Sequence, residues 1–332
     1  MRALLGGRPG ARSWELGERT VPEPGAGELL VRVRAAGLNR ADLLALGGGY
    51  PVPHAGPDGV FVAGMELAGE VVAAGPGTAG RSLGDRVFCS APAAFADYAV
   101  VDARRALPVP AGLSWTDSAA LPVALETVHD ALVTQAGFGT AGAVLVLGGT
   151  TGVGQVAIRL ARALGADPVL ATTTSEAKRA AIAAAGADPL VGPAGLADGL
   201  LAATDGAGVD VVLDLVGGDQ LAAALGGIRI GGTAIQIGRL AGPAATLDLN
   251  TLSFRRLRLI GTTFSVRTAD ERAAVAAALT PVLDLVADGR VRATVDRVVP
   301  FGEAPAALEH LRSGAAVGKV VLDLADPVPG QA

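Results

Sequence analysis

The sequence is poor in the residues from which cross-links, metal centres and nucleic-acid platforms are built. Cys89 is the only cysteine in 332 residues, which excludes an internal disulfide and any zinc site made of several thiolates. The three histidines, His54, His129 and His310, stand far apart with no pair at HExxH-like spacing. Aromatics make up 3% and charged residues 18%, and the formal net charge of −5 comes from acids and bases interspersed along the chain. Without a basic run or a supply of rings there is neither a phosphate-neutralising stripe nor a stacking platform, so nucleic acid is not an expected partner.

Long hydrophobic runs are missing too, although the mean hydropathy is +0.45. The longest charge-free stretch, Ala131 to Ile158, is interrupted by seven glycines and by Gln135, Thr150 and Thr151. A spanning helix needs about 20 predominantly apolar residues, and this stretch reads instead as turn, strand and glycine loop. The segment Met1 to Gly7 lacks a signal-peptide apolar region of useful length. A cytosolic protein with no membrane partner is therefore expected.

Apolar residues supply half of the chain, enough for a large core, and the length suggests two domains. Residues 1 to about 120 hold short β-rich runs such as Leu29–Arg34 and Asp85–Phe88, punctuated by Pro and Gly. From 121 to 264 strands alternate with Ala-rich helices. Strands are expected at 143–148, 168–172, 190–191, 209–214, 233–238 and 257–260, with helices at 153–164, 176–185, 196–204 and 219–226. Such alternation implies a parallel sheet covered on both faces. Beyond 265 come a helix (270–287), a β segment (293–299), a short helix (303–312) and a strand (318–324), which return the chain to the first domain. Asp326 to Ala332 read as a frayed tail. The expected result is a mostly β catalytic domain, 1–120 completed by 265–332, and a doubly wound nucleotide-fold domain, 121–264. A cleft between the two lobes is the expected ligand site.

The strongest local signal is the run Val144–Gln155, in which a buried strand enters Gly148-Gly149-Thr150-Thr151-Gly152-Val153-Gly154 and a helix leaves it. Gly149 and Gly152 are expected to permit a tight turn, and Gly154 to let the helix pack close to the strand. The first helical amides then face a pyrophosphate, and the helix dipole adds about 0.3–1 kcal/mol per favourable charge. An NAD-binding fold usually carries Asp or Glu at the end of its second strand. Here that strand runs into Thr172-Thr173-Thr174-Ser175-Glu176-Ala177-Lys178-Arg179. Hydroxyls and Lys178 suit a 2′-phosphate, so NADPH is the expected cofactor. The competing reading makes Lys178 and Arg179 a solvated helix face.

With these residues assembled, the chain resembles the medium-chain dehydrogenase/reductase superfamily, and within it the zinc-free quinone oxidoreductases of the ζ-crystallin and p53-inducible types. The resemblance rests on Gly27–Val33, Gly37-Leu38-Asn39-Arg40-Ala41-Asp42, Gly49-Tyr50-Pro51, Gly64-Met65-Glu66-Leu67-Ala68-Gly69, Gly84–Val87, Ala119–Pro122, the glycine loop and Gly318–Leu322. It implies a GroES-like catalytic domain, a Rossmann domain and a homodimer joined through sheet edges. Zinc-dependent relatives place a Cys ligand where Asn39 stands and a His ligand where Met65 stands, and their structural lobe needs four cysteines. No metal is therefore expected. Without a Lewis acid an alkoxide is hard to stabilise, which disfavours simple alcohol oxidation and favours hydride addition to a quinone or an α,β-unsaturated carbonyl.

The resemblance also assigns roles. Gly149, Thr150, Thr151, Gly152, Val153 and Gly154 line the pyrophosphate, and Thr174, Ser175 and Lys178 surround the 2′-phosphate. Gly238, Arg239, Phe264 and Ser265 frame the nicotinamide, with Asn39 and Thr127 on its other side. Thr127 reads equally well as a buried hydroxyl bonded to the preceding helical turn. Tyr50 is the candidate catalytic residue, donating to the developing substrate oxygen; alternatively it only shapes the pocket. His54 reads as a solvent-facing loop residue, and His129 and His310 as structural. Two other functions stay open: reduction of an enoyl thioester in a polyketide-type pathway, and a non-catalytic NADPH-binding role.

Overall fold

The computed structural model describes residues 1–7, 13–52, 55–56, 58–78 and 80–324. His54 and the tail from Asp326 lie outside the described residues. The chain forms two compact units. The first comprises Met1–Val123, Arg267–Ala287 and Ala293–Ala332, and the second Ala124–Val266 with Asp288–Arg292.

The first unit begins with β1 (Arg2–Gly6), β2 (Glu15–Glu18), β3 (Glu28–Gly37), α1 (Arg40–Leu46), β4 (Phe61–Val62) and β5 (Glu66–Ala74). There follow β6 (Arg86–Ser90), β7 (Tyr98–Asp102), β8 (Leu107–Pro108), α2 (Trp115–Ala119) and the start of α3 (Pro122–His129). β1 pairs antiparallel with β2 and β4 in a small sheet. β3 is the spine of the larger sheet: it pairs antiparallel with β5 and β7. Its alternating residues Leu29, Val31 and Val33 are buried against Leu67, Val71, Val87, Ala99 and Phe95 in one core. Only the middle of β3, Val31 to Arg34, alternates buried with less buried residues as a sheet with one wet side does, while Leu30 and Ala35–Gly37 are buried too. The sequence reading gave this region as largely β and missed α1 and α2.

The second unit is a parallel sheet. Its elements are β9 (Val144–Leu147), α4 (Gly152–Ala163), β10 (Val169–Thr173), α5 (Arg179–Ala185), β11 (Asp188–Val191), α6 (Leu196–Ala202) and β12 (Val209–Asp214). They continue with α7 (Gly218–Ala224), β13 (Ile228–Gln236), α8 (Leu249–Phe254) and β14 (Arg258–Gly261). The spatial order is β11-β10-β9-β12-β13-β14, and every pairing is parallel. Numbered within the unit this is 3-2-1-4-5-6, the doubly wound order whose ligands bind beyond the carboxyl ends of the strands at the switch from β9 to β12. All four residues of β9 are buried, as expected for a central strand with helices on both faces.

The chain then supplies α9 (Ala269–Ala278), α10 (Val282–Ala287), β15 (Val295–Pro300), α11 (Ala304–Ser313) and β16 (Lys319–Asp323). β16 pairs with the C-terminal end of β3, so the last strand completes the first unit's sheet. The expected single helix over 270–287 is two helices. Pro281 lies at the break, where its missing N–H and its ring oppose a continuous helix.

Candidate active site

The glycine loop of the second unit is built by its own side chains. Gly148 ends β9 with φ +86°, so the left-handed turn sits there and not at Gly149 or Gly152. Gly149 is needed for a different reason: a Cβ on it would lie 2.6 Å from the Cβ of Ala171. Thr151 caps α4, its Oγ1 accepting from the Gly154 amide at 2.9 Å and donating to the Gly148 carbonyl at 2.9 Å. A Cβ on Gly154 would overlap that same carbonyl oxygen, so only glycine lets the helix approach. Gln155 Nε2 donates to the Gly149 carbonyl at 2.8 Å. From the next strand, Thr172 Oγ1 accepts the Gly148 amide at 3.0 Å and donates to Gln220 Oε1 at 2.9 Å. The loop is thus held by its own hydrogen bonds, and the first amides of the 12-residue α4, which have no intrahelical acceptor, point out of its N-terminus.

At the tip of β10, Thr174 is exposed and Ser175 and Lys178 are half-buried. Ser175 N–H donates to Thr173 Oγ1 at 3.2 Å, and Lys178 N–H to the Ser175 carbonyl at 3.0 Å, which curls the segment beyond the strand end. Glu176, the one acid of this segment, is exposed and lies 3.5 Å from Arg179 Nε. Its charge faces solvent, and no carboxylate ends the strand. At the tips of the following strands, Gly238 and Arg239 come after β13 and Phe264 and Ser265 after β14, with Ser265 Oγ 3.0 Å from Thr263 Oγ1. Thr127 is buried on α3. The neighbouring His129 has a buried Nδ1 with no hydrogen-bond partner, and burial lowers its pKa, which keeps the ring neutral.

In the first unit Asn39 and Glu66 belong to one buried polar cluster that Lys319, the first residue of β16, completes. Lys319 Nζ donates to Asn39 Oδ1 at 2.7 Å and to Glu66 Oε1. Asn39 Nδ2 donates to Glu66 Oε1 at 2.8 Å, and the Val123 amide to Glu66 Oε2 at 2.8 Å. Asp42 Oδ2 accepts the Asn39 backbone amide at 2.8 Å, closing a capping box on α1. Asp42 is fully buried, and burial pushes its pKa up to about 7. Tyr50 packs on the edge of the same unit's core and lines a cavity of about 260 Å³ with Ala45, Leu46, Val52, Ala55 and Phe61. His310 pairs with Asp296, Nε2 to Oδ2 at 2.7 Å, tying α11 to β15.

Two family models match. Residues 25–111 match the alcohol dehydrogenase GroES-like domain, and residues 164–322 match a family described as zinc-binding dehydrogenase. A mycobacterial quinone oxidoreductase is 29% identical and superposes with a TM-score of 0.83 over 97% of this chain and 99% of that one. A mycobacterial protein complexed with NADPH is also 29% identical, with a TM-score of 0.85 over 97% of this chain and 100% of that one. The chain belongs to the medium-chain dehydrogenase/reductase superfamily. Among curated relatives, erythronolide synthase EryA2 of Saccharopolyspora erythraea is 35% identical over 315 residues, 91% of this chain but 8% of that protein. This medium-chain chain therefore spans only a small part of such relatives.

The superfamily raises the question of zinc, and the residues present do not fit it. The two positions that carry Cys and His ligands in zinc-dependent members hold an amide, Asn39, and a thioether, Met65, which packs against the core. Glu66 accepts from Lys319, Asn39 and the Val123 amide, and the Lys319 ammonium supplies the cation of this cluster. Among the described residues no group of three or more His, Cys, Asp or Glu is placed to hold a metal. The dinucleotide fits better: a glycine loop held by its own hydrogen bonds, a capped helix N-terminus and a β10 strand that ends without a carboxylate lie in one unit. Sequence reasoning missed Lys319, Glu66 and Asp42 as partners of Asn39. The acid at 42, three residues after Asn39, was the available signal for the capping box; the link to Lys319 spans 280 residues and had none.

Proposed function

We propose that the protein is an NADPH-dependent, zinc-independent reductase of an alkene or quinone already conjugated to a carbonyl. The observation that carries this reading is the hydrogen-bonded glycine loop above an acid-free second strand, in a chain whose two metal positions hold an amide and a thioether. The amides of Gly152 and Val153 would hold the pyrophosphate, and Thr174, Ser175 and Lys178 the 2′-phosphate. When bound, the reduced nicotinamide supplies a hydride. Gly238, Arg239, Phe264 and Ser265 would orient that ring. Tyr50 would donate a hydrogen bond to the carbonyl oxygen as negative charge develops on it, and water would complete protonation of the product. An acceptor that is electrophilic from the outset needs no stronger polarisation than this.

An enoyl thioester is the second reading, favoured by the 32% identity to a segment of a mycocerosic acid synthase-like polyketide synthase. Polyketide assembly includes steps at which an α,β-unsaturated thioester is saturated, and the chemistry is the same conjugate hydride addition. The test is NADPH consumption at 340 nm with 9,10-phenanthrenequinone, p-benzoquinone and crotonyl thioesters. Preference for the thioester supports the second reading. Binding of NADPH with no turnover of any acceptor supports a non-catalytic role and contradicts both.

The reading includes a cytosolic homodimer. Among the described residues no helix is long and apolar enough to cross a membrane. β14 is an edge strand with mostly exposed residues, and Leu249 and Phe254 on the preceding helix are 70% and 81% exposed. An unpaired edge beside exposed apolar side chains suits a second copy of the same sheet.

A further inference from the structure

Two central strands of the second unit end on a single residue. Asp214 is the last residue of β12 and is fully withdrawn from solvent. Its Oδ1 accepts the backbone amides of Val216 at 2.9 Å and Gly217 at 2.7 Å. Its main-chain carbonyl accepts those of Ile237 at 2.8 Å and Gly238 at 3.0 Å. One residue therefore holds both the chain that leaves β12 and the chain that leaves β13.

The two segments are locked to each other as well. The Ala241 amide donates to the Val216 carbonyl at 2.9 Å, and a Cβ on Gly238 would overlap the Leu215 carbonyl oxygen. Gly217 and Gly218 have φ of +73° and +57°. Glycine visits such conformations without imposing them, so the turn needs an external anchor to hold one geometry. The Asp214 side chain is that anchor.

The anchor is kept at a cost. Asp214 Oδ2 is buried and has no hydrogen-bond partner, and burial pushes the carboxyl's pKa up. A half-satisfied buried carboxyl is a standing penalty that an apolar residue of similar size would avoid. Its place gives that penalty a use: the carboxyl ends of β12 and β13 lie where a doubly wound sheet binds its ligand.

We propose that Asp214 is the positioning residue for the nicotinamide half of the dinucleotide, fixing segments 215–218 and 237–241 in the geometry that receives it. The adenosine half rests on the glycine loop and the β10 tip, and the Asp214 side chain hydrogen-bonds to the Val216 and Gly217 amides, not to either of these. This rests on the cofactor reading above. Asp214 acts through backbone amides and takes no part in the chemistry.

The test compares affinity for NADPH with affinity for adenosine 2′,5′-bisphosphate, by fluorescence and calorimetric titration (the matching pair for NADH is NADH and ADP-ribose). In Asp214→Leu, NADPH binding weakens about tenfold, the scale of losing hydrogen bonds to a buried acceptor, while the fragment binds as to wild type. Asp214→Asn keeps an oxygen for both amides and restores NADPH affinity. Equal weakening of NADPH and fragment, or NADPH binding to Asp214→Leu at wild-type strength, overturns the proposal. Should Asp214→Leu fail to fold by circular dichroism, Gly218→Ala strains the same turn at its φ of +57°. A loss confined to NADPH then supports the assignment, and unchanged NADPH affinity overturns it. Wild-type protein that binds none of these ligands overturns the cofactor reading itself, and this inference with it.

Discussion

The ammonium of Lys319 lies against the carboxylate of Glu66 with both side chains almost wholly out of water, 3% and 0% exposed. One comes from β16 and the other from β5, so this pair fastens β16, with β15 beside it, onto strands that lie between residues 28 and 108. A buried pair is expensive to break, because removing one partner strands the other charge, at a cost of about 3–5 kcal/mol. Lys319→Met should lower stability by that amount in urea titrations. Combining it with Glu66→Leu should recover part of the loss, since no charge is then left unpaired.

Asp42 sets a pH dependence. Burial raises its folded-state pKa from 3.8 to about 7. The folded protein therefore binds the proton more tightly than the unfolded chain. The corresponding stability is fully present below pH 4 and is lost as pH rises through 7. Asp42→Asn, which can still accept the Asn39 amide, should flatten this part of the curve. Urea midpoints at pH 5 and pH 8 should lie closer together in the variant than in wild type.

Gly154→Ala places a methyl group against the Gly148 carbonyl oxygen. Overpacking of this kind costs about 1–3 kcal/mol. The strain falls on the loop proposed to hold the pyrophosphate, so NADPH affinity should fall about tenfold or more. Fluorescence titration beside a melting curve measures both effects.

Lys178→Ala should reduce the preference for NADPH over NADH by about tenfold, the scale of one charge-assisted hydrogen bond. The ratio of the two kcat/KM values is the readout. An unchanged ratio removes this lysine from the 2′-phosphate site.

Tyr50→Phe should lower kcat by about a hundredfold if the phenol donates to the developing oxyanion, with KM for NADPH unchanged. A variant as active as wild type would leave Tyr50 as a wall of the cavity it lines.

Much of the second unit was legible in the sequence because its signals are local. The apolar run Val144–Leu147 followed by the glycine cluster marked β9 and α4 within a residue. Gly148 took the left-handed position expected of its neighbours because the strand ends with its last apolar residue, Leu147, one residue before the expected end. The segment 228–232 was not recognised as part of β13, since Gly231-Gly232 reads as a turn and gives no side-chain pattern. α3 was legible as the helical setting of Thr127, but its bounds were not, because its residues are almost all buried and leave no polar face to show a helical period. The Asn39–Glu66–Lys319 cluster depends on strand pairing across most of the chain, which no window of sequence can display.

The most direct measurement of the central claim uses chelator-dialysed protein with NADPH deuterated at C4 and an enone or crotonyl thioester, followed by mass spectrometry of the product. The account predicts one carbon-bound deuterium per turnover (from whichever C4 face the enzyme uses) with no metal added. Product without label from either C4 isotopomer, or turnover that appears only when zinc is restored, would contradict it.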